Sequence, residues 1–403
     1  MRVEERFLDY VSFDTQSDGS SKEVPSTAKQ KILGAHLAEE MKKIGLENAH
    51  IDEKGYVYGF LPATEDRKQE PALGLIAHMD TAPSASGKNI KPEIIHYEGG
   101  DIPLGQSGKA ITVEKFPFLD DYIGQRLIVT DGTTLLGADD KAGIAEILTA
   151  CEYLIEHEEI SHRKLAICFT PDEEIGRGPD YFDLKKFAAP TAYTVDGGKI
   201  GELDIENFNA ATANIEIHGV NIHSGYAKNK MKNAILLANR FISMLPPQEA
   251  PAHTELYEGF YHVSKIEGNE AFASIEVGIR DFEKDGFEGR KEFLRRTCAY
   301  LNQIWGEGTF QVSVRDVYYN MKEKLLPHMD LVENAKAAML TNGVIPKILP
   351  SRGGTDGAKL SYMGLPCPNL STGCSNAHGV LEFVSVESME TMVNVLVTLA
   401  KMQ

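Results

Sequence analysis

Three short apolar runs, each followed by acidic side chains, constrain the fold of this chain more than any other feature of its sequence. A short apolar run that ends in polar residues is typical of a buried strand entering a loop. In an α/β sheet, side chains at the strand ends can converge in one crevice. The pattern therefore predicts an α/β sheet with its function at the strand ends. The runs are ALGLIAHMDT at 72–81, KLAICFTP at 164–171 and TAYTVDGG at 191–198.

The chain is also long for one hydrophobic core, because its 403 residues exceed the size at which single cores usually stop growing. In the middle of the chain the pattern changes, since ATANIEIHGV and ASIEVGIRDF alternate like half-exposed strands. Helical stretches at about 231–245 and 288–305 accompany them. We therefore expect an α+β domain at 207–320, inserted into a first domain formed by 1–206 and 321–403.

Further elements of the first domain follow from helical spacing. After about residue 321 the alternation of strand and helix returns, and the chain ends in a helix. Residues 83–130, rich in glycine and proline, are interpreted as an excursion from the first domain and not as a separate one. A helix is also predicted after GADDKAG, with apolar residues on one face at Ile144, Ile147, Leu148, Cys151, Leu154 and Ile155.

Charge and cysteine content restrict the class of protein. The net charge of -18 argues against nucleic-acid and anionic-membrane partners. The start, MRVEERFLDYVSFDTQ, has no long apolar run and is not a signal peptide. No apolar segment approaches the 18 residues of a membrane span. The five cysteines form no CxxC pair, which favours reduced thiols and a cytoplasmic protein.

Five residues at predicted strand ends or in loops could carry chemistry, and each also has an ordinary structural explanation. His78 and Asp80 share a face, as a metal ligand and its orienting partner would, but a chance pair is about as plausible. Asp139 precedes a helix, where aspartate is a preferred N-cap. Asp196 precedes two glycines, which is a turn signature. His378, in SNAHGVLEF, could be an ordinary loop histidine.

The combination is more informative than any one residue. Two histidines and three carboxylates are too many ligands for one tetrahedral zinc ion, but they suit two ions if one carboxylate bridges them. Such ion pairs, about 3.5–4 Å apart, serve hydrolases by activating a water molecule, which still needs a base to accept its proton. The five residues are His78, Asp139, Glu174, Asp196 and His378.

The adjacent glutamates of TPDEEIGRG, residues 170–178, fit the same hypothesis. Neighbouring carboxylates repel each other, and in an extended segment they would point in opposite directions. A solvated loop would also explain them. We interpret one glutamate as a metal ligand and its neighbour as the group that faces the water.

At these motifs the sequence resembles the peptidase T family of aminotripeptidases, within the zinc-dependent exopeptidases and aminoacylases. The resemblance implies a catalytic domain with a mixed sheet flanked by helices at 1–206 and 321–403. It implies a lid and dimerisation domain at 207–320, and hence a homodimer. The matching segments are HMDTAPSASGKNI, TDGTTLLGADDKAGIAEI, TPDEEIGRG, YTVDGGKIGELDIENFNAA, RGGTDGAKLSYMGLPCPNLSTG and HGVLEF.

The resemblance also implies roles for single residues. Asp139, and not Asp140, corresponds to the bridging ligand because it stands two residues before Lys141. Asp80 corresponds to the residue that orients the first histidine, and Glu173 to the general base. The remaining ligands are His78 and Asp196 for one ion, and Glu174 and His378 for the other.

Three residues correspond to substrate-contacting positions: His223, Arg280 and Arg352. His223 and Arg280 fall in the inserted domain, and Arg352 begins a loop that continues as GGTDG. Each also has an ordinary explanation as a surface, strand or loop residue. The sequence departs from the family at Ser224, where the family has proline, and at Ala377, where it tends to have an aromatic residue.

The resemblance implies a metallo-aminopeptidase that removes the N-terminal residue from tripeptides. It implies two divalent ions per chain, with zinc as the first expectation and cobalt or manganese as alternatives. One alternative function is a dizinc amidohydrolase that deacylates N-acyl amino acids with the same core. A second is a non-catalytic binding or assembly protein on a degenerate scaffold. The presence of all seven ligand, base and orienting residues argues against the second.

Overall fold

The computed structural model describes residues 1–402, which contain ten α-helices and eighteen β-strands. The helices are α1 Val3–Val11, α2 Gln30–Ile44, α3 Ala138–Glu156, α4 Leu184–Phe187, α5 Ala234–Ile242, α6 Lys284–Trp305, α7 Lys322–Leu325, α8 Met329–Thr341, α9 Asp356–Tyr362 and α10 Val386–Lys401. The first nine strands are β1 Glu47–Ile51, β2 Val57–Leu61, β3 Leu73–His78, β4 Glu93–His96, β5 Ile102–Leu104, β6 Lys109–Ile111, β7 Arg126–Val129, β8 Leu165–Thr170 and β9 Thr191–Val195. The others are β10 Glu202–Asp204, β11 Asn209–His218, β12 Phe260–Gly268, β13 Phe272–Asp281, β14 Phe310–Tyr318, β15 Lys347–Ile348, β16 Asn369–Leu370, β17 Cys374–Ser375 and β18 Phe383–Ser385.

These elements form two compact units. The first comprises Met1–Ile205, Glu323–Leu349 and the chain from Thr355 onward. The second comprises Glu206–Lys322 together with Pro350–Gly354. The sequence patterns did not indicate that this last short segment belongs with the second unit. Within residues 1–402, no helix combines the length and apolar character needed to span a bilayer.

The first unit is built on an eight-stranded sheet with the order β1-β2-β8-β3-β9-β16-β10-β15. The three apolar runs form β8, β3 and β9, which lie side by side and run parallel. The flanking pairs β1–β2, β2–β8 and β10–β16 are antiparallel. The prediction of an α/β fold with a mixed sheet is therefore confirmed, and the carboxyl ends of its central strands share one edge.

Burial on both faces explains why these strands read as continuous apolar runs. Leu75 and Ala77 of β3 belong to a large apolar cluster that includes residues of α1, α2, α3, α8 and α10. Ile76, between them in sequence, belongs to a second cluster that includes residues of α4 and α9. Side chains alternate between the faces of a strand, so both faces need apolar residues.

A second small sheet in this unit has the order β17-β18-β7-β4. It joins strands from the segment 83–130 to strands near the end of the chain. Tyr97, Leu119 and Tyr122 from that segment pack in one buried cluster with Phe383 of β18. The segment therefore lies within the first unit, as an excursion from it.

The second unit is a four-stranded antiparallel sheet, β12-β13-β11-β14, with α5 and α6 packed against it. β11 alternates between buried and partly exposed residues, as predicted for a strand covered on one face. The sequence predicted β11, β13 and both helices but missed β12 and β14. Most residues of β12 are exposed, so its hydrophobic periodicity is weak.

Helix α3 places one isolated carboxyl group, that of Glu146, in the core of the first unit. Glu146 is fully buried, and neither of its carboxylate oxygens has a hydrogen-bond partner in residues 1–402. Burial raises the pKa of Glu146 well above its ordinary value. By contrast, the carboxylate of Glu152 on the same helix lies 2.9 Å from an Arg6 guanidinium nitrogen. Although burial opposes the effect, bonding to the N-terminal ammonium and to Arg6 lowers the pKa of Glu152.

We expect Glu146→Gln to stabilise the protein at pH 8 but not at pH 4.5. A carboxyl whose pKa is raised on folding contributes stability below its unfolded pKa and loses it as pH rises through the folded pKa. The loss is about 1.4 kcal/mol per pH unit in that window. Urea unfolding of both proteins across this pH range measures it. Glu152→Gln is the matched control and should instead destabilise the protein at pH 8, so equal effects of the two variants would contradict the prediction.

Candidate metal centre

Three parallel strands deliver the first group of candidate residues to one edge of the sheet. His78 is the last residue of β3, and Asp196 directly follows β9. Glu173 and Glu174 lie in a single 3-10 turn, Glu173–Ile175, just beyond β8. Because β8, β3 and β9 are adjacent and parallel, their polar ends meet.

The other two candidates arrive from separate segments. Asp139 lies at the start of α3, where it has φ -84° and ψ 98° instead of helical values. A cis peptide bond joins it to Asp140. His378 lies between β17 and β18 and has a positive φ of 65°. All five predicted ligand residues therefore come together, although two of them are not at strand ends.

The Asp139 carboxylate lies between the two imidazoles. Its Oδ1 is 2.9 Å from Nε2 of His78, and its Oδ2 is 3.0 Å from Nε2 of His378. Nε2 of His78 is also 3.5 Å from Oδ1 of Asp196. Nε2 of His378 is 3.0 Å from Oε2 of Glu174. Two ligand sets, each with one histidine and one carboxylate, thus share Asp139.

His78 is held by Asp80 in a way that the sequence did not predict in detail. Nδ1 of His78 donates to the main-chain carbonyl of Asp80 at 3.0 Å, while the carboxylate Oδ1 is 3.5 Å away. A carbonyl can only accept, so Nδ1 carries a proton and Nε2 is the ring nitrogen that faces Asp139. The Asp80 carboxylate accepts the N–H groups of Glu173 and Glu174, at 2.9 and 3.2 Å. Asp80 therefore supports the imidazole and the glutamate turn together.

The two glutamates face different histidines, but not because the segment is extended. Oε2 of Glu174 reaches His378, whereas Oε2 of Glu173 lies 4.0 Å from Nε2 of His78. The turn is bracketed by left-handed residues, Asp172 at φ 59° and Gly176 at φ 69°. Asp172 is itself held in place, because its buried carboxylate accepts the main-chain N–H of Ser26 at 2.6 Å. A tight, anchored turn, and not the alternation of an extended strand, separates the two carboxylates.

Electrostatics in this cluster are dominated by burial and by the two imidazoles. Burial raises the pKa of Glu173, of Asp196 and, to about 7, of Glu174. Burial acts the same way on Asp139, but hydrogen bonds from His378 and His78 outweigh it and lower its pKa. Hydrogen bonds to Asp139 and Glu174 raise the pKa of His378 to about 11. The carboxyl groups of this cluster outnumber its two imidazoles, and burial disfavours their charged form, so cations bound between them would be stabilising.

The residues present fit a pair of divalent ions. Imidazole and carboxylate form the mixed donor set that zinc, cobalt and manganese accept. His78, Asp139 and Glu174 each place one ligand atom within 4.8 Å of the others, and so do His78, Asp140 and Asp196. Oε1 of Glu174 is buried and has no hydrogen-bond partner in residues 1–402, which leaves it available to a cation.

Sequence reasoning passed over several buried carboxylates around this centre. Asp140 accepts the main-chain N–H of His78 at 3.1 Å, and its other oxygen lacks a partner within residues 1–402. Asp356, in the predicted GGTDG loop, accepts from Thr170 at 2.7 Å. Glu382 accepts three main-chain N–H groups. Only the DD pair and GGTDG carried any signal, because the other contacts join residues far apart in the chain.

His223, Arg280 and Arg352 all lie in the second unit. His223 is exposed and begins a short 3-10 turn, Ser224–Tyr226, where its Nδ1 accepts the N–H of Gly225 at 3.1 Å. The neutral ring therefore carries its proton on Nε2, which can donate. The turn forms with Ser224 in place of the family's proline.

The two arginines differ in how their guanidinium groups are occupied. Arg352 bonds through both terminal nitrogens to Thr254, Leu256 and Glu258, and it stacks on Phe208. Within residues 1–402, Arg280 hydrogen-bonds through Nη1 alone, to the carbonyls of Ala211 and Ile279, and its guanidinium lies over the ring of Tyr318. Of the two, Arg280 has more donors left for a substrate.

Comparison with known proteins agrees with this architecture. Residues 205–309 match a family described as "Peptidase dimerisation domain". The peptidase T of Caldanaerobacter subterraneus subsp. tengcongensis is 52% identical over 403 residues, which is 100% of this chain and 98% of that protein. The peptidase T of Clostridium perfringens strain SM101 is 53% identical over 401 residues, 99% of this chain and 98% of that protein.

Solved structures show the same fold at lower identity. An aminopeptidase PepT from Bacillus cereus superposes with TM-score 0.76 at 24% identity, over 99% of this chain and 97% of its own. A tripeptidase from Staphylococcus aureus gives TM-score 0.78 at 22% identity over the same shares. A dinuclear metal-binding peptidase from Bacillus subtilis gives 0.64 at 13% identity, over 99% and 96%. From the full-length identity with its relatives, the chain belongs to the peptidase T family.

Proposed function

We propose that this protein is a metallo-aminopeptidase that removes the N-terminal residue from tripeptides. The observation that carries the proposal is the Asp139 carboxylate, whose two oxygens face His78 and His378 at 2.9 and 3.0 Å. This arrangement suits two ions with one bridging ligand. Membership of the peptidase T family supports the reaction, and the likeness to an aminopeptidase PepT and to a tripeptidase supports the substrate class.

In this proposal His78 and Asp196 hold one ion, Glu174 and His378 hold the other, and Asp139 belongs to both. When bound, two such ions polarise a carbonyl group and make a water molecule acidic near neutral pH. Zinc is the first candidate, and the donor set also accepts cobalt or manganese.

Glu173 is proposed as the general base, because it ligates neither side of the centre but lies beside it. Its side chain is only 14% exposed, and its Oε2 is 4.0 Å from Nε2 of His78. A carboxylate with a raised pKa can accept a proton from the attacking water at Oε2 and return it to the leaving amine. Asp80 holds the main chain of Glu173 and so fixes where that carboxylate can reach.

The second unit is proposed to bind the rest of the substrate. His223 would donate from Nε2 to the oxyanion that develops on the scissile carbonyl. Arg280 would bind the C-terminal carboxylate, because a guanidinium can grip both oxygens. The match to a dimerisation domain over 205–309 supports a homodimer. Five unpaired, buried cysteines are in keeping with a reducing compartment, and we place the protein in the cytoplasm.

We expect Ala-Ala-Ala to be hydrolysed well, its C-terminal amide poorly, and its N-acetyl form hardly at all. A charge-assisted hydrogen bond contributes about 1.5–3 kcal/mol. Since about 1.4 kcal/mol is tenfold, losing one such contact lowers kcat/KM for the amide roughly 10- to 100-fold. Steady-state kinetics on the three peptides test the proposal. If N-acetyl amino acids were the better substrates, the alternative of a dizinc deacylase would replace it.

Arg280→Ala should remove the preference for the free carboxylate while metal content stays unchanged. Arg280→Lys keeps the charge but loses the fork, so it should restore the preference only in part. Arg352→Ala is the comparison, because both terminal nitrogens of its guanidinium are already bonded to protein oxygens. It should lower the unfolding temperature and leave more of the preference intact. The reverse result would assign the carboxylate to Arg352.

A further inference from the structure

Glu382 connects two segments of the candidate metal centre that are distant in sequence. It lies immediately before β18 and four residues after His378. Its side chain is 1% exposed. Oε2 accepts the N–H groups of Leu136 and Gly137, at 2.8 and 2.9 Å. Oε1 accepts the N–H of Asp139 at 3.0 Å.

Two of these donors, on Leu136 and Gly137, lie just before α3, and the third, on Asp139, lies at its start, where the backbone is not yet helical. The helix has no side-chain cap of its own at Gly137. A carboxylate from another segment satisfies these three main-chain N–H groups. Because both oxygens of Glu382 accept hydrogen bonds, the main chain is held at Asp139 and just before it, at Leu136 and Gly137. The Asp139 carboxylate lies between the two imidazoles.

The His378 end of the same segment is tied down as well. The N–H of Glu382 donates to the carbonyl of Gly379, and Oγ of Ser84 donates to the carbonyl of His378 at 2.7 Å. His378 itself is 52% exposed and has a left-handed backbone, so packing alone does not orient it. Glu382 therefore sits at the junction between the loop that carries His378 and the loop that carries Asp139.

We propose that Glu382 is a positioning residue that sets the spacing of Asp139 and His378, and thereby the affinity for the ion that these two residues share with Glu174. This inference rests on the proposed function only in requiring a pair of divalent ions. His78 and Asp196 are at the ends of central strands, whereas Glu382 acts on Asp139 and on the segment that carries His378. Because Asp139 belongs to both ions, loss of Glu382 should weaken both, and the ion held with His378 and Glu174 more strongly.

Glu382→Gln tests this by direct metal binding. Glutamine has the same length, but an amide nitrogen replaces one of the two oxygens. That nitrogen cannot accept a hydrogen bond from the main-chain N–H opposite it. The metal-free protein is titrated with Co²⁺, with visible absorption and competition against a chromophoric chelator as readouts. We expect the affinity for the ion held with His378 and Glu174 to fall about 10- to 100-fold, the usual effect of losing a partner that orients a ligand, and the affinity for the other ion to fall less. The Co²⁺ spectrum should change in the same direction as that of His378→Ala.

Glu387→Gln is the matched control. The carboxylate of Glu387 accepts the main-chain N–H and the side-chain Nε–H of Arg126, both at 2.8 Å, and within residues 1–402 it bonds neither the Asp139 loop nor the His378 loop. The Glu387→Gln protein should bind both ions with the affinity of the parent protein. If Glu382→Gln binds both ions with parental affinity and spectrum, and only its unfolding temperature falls, Glu382 is merely structural and the inference is wrong.

Two further measurements keep the inference separate from folding and from the proposed function. If Glu382→Gln does not fold, Glu382→Asp is titrated instead, since its shorter carboxylate reaches fewer of the donors. Its affinity should again fall more for the ion held with His378 than for the other ion. Affinities equal to those of the parent protein would overturn the inference. If the parent protein binds no pair of divalent ions, the proposed function itself fails. Two ions in the parent with no difference in the variants reject Glu382 alone.

Discussion

Asp139→Ala is expected to remove both divalent ions and to abolish peptide hydrolysis. One carboxylate spans the two histidines, with 2.9 Å from Oδ1 to His78 and 3.0 Å from Oδ2 to His378. A ligand that belongs to both ions cannot be lost from one of them alone. His378→Ala should instead weaken chiefly the ion shared with Glu174. Metal analysis of the purified proteins, with dialysis at fixed free Zn²⁺, measures the difference.

The control for this prediction addresses the simplest alternative, that Asp139 only caps a helix. Asp183 is such a cap, because its carboxylate accepts the N–H groups of Lys185 and Lys186 at the start of α4. Asp183→Ala should cost about 1 kcal/mol of stability and leave metal content unchanged. If Asp139→Ala behaved in the same way, or if the parent protein kept full turnover after exhaustive chelation, the two-ion centre would be wrong.

Glu173→Gln is expected to lower kcat by roughly 10²–10⁴-fold while both ions remain bound. That range is the usual contribution of a positioned base, and it corresponds to roughly 2.7–5.4 kcal/mol of activation free energy. Glutamine keeps the size of the side chain but cannot accept a proton. Single-turnover kinetics on a tripeptide, with metal analysis of the same sample, separates loss of the base from loss of an ion.

Glu174→Gln is the matched variant, because it changes the neighbouring residue in the same chemical way. Its carboxylate is 3.0 Å from Nε2 of His378, so metal occupancy should fall, and added metal should recover part of the activity. Added metal should not rescue Glu173→Gln. If the two variants exchanged these behaviours, the assignment within the glutamate pair would be reversed.

Local sequence patterns were sufficient for the scaffold of the candidate site. The runs that became β3, β8 and β9 are apolar because both faces of these strands are buried. The polar residues that follow each run mark the edge where parallel strands end. Helix α3 and the alternation of β11 and β13 were predicted for the same reason, since periodicity reports which side of an element is covered. Elements with little burial, such as β12, left no such pattern.

Tertiary structure decided the points at which neighbouring residues have the same chemistry. Asp139 and Asp140 are identical in kind, and the sequence distinguished them only by resemblance. In the fold, the main-chain N–H of Asp139 donates to Glu382 and its carboxylate meets both imidazoles, whereas the carboxylate of Asp140 accepts the N–H of His78. Glu173 and Glu174 are separated by a turn anchored on Asp80.

The two arginines were also distinguished only by the structure. Both terminal nitrogens of Arg352 are bonded, to Leu256 and Glu258 among others, whereas the hydrogen bonds of Arg280 within residues 1–402 use Nη1. The sequence by itself determined which residue types arrive at the sheet edge, because burial patterns are local. It could not determine which oxygen faces which nitrogen. That depends on hydrogen bonds between segments far apart in the chain, such as Glu382 to Leu136 across 246 residues, and these leave no periodic trace in the sequence.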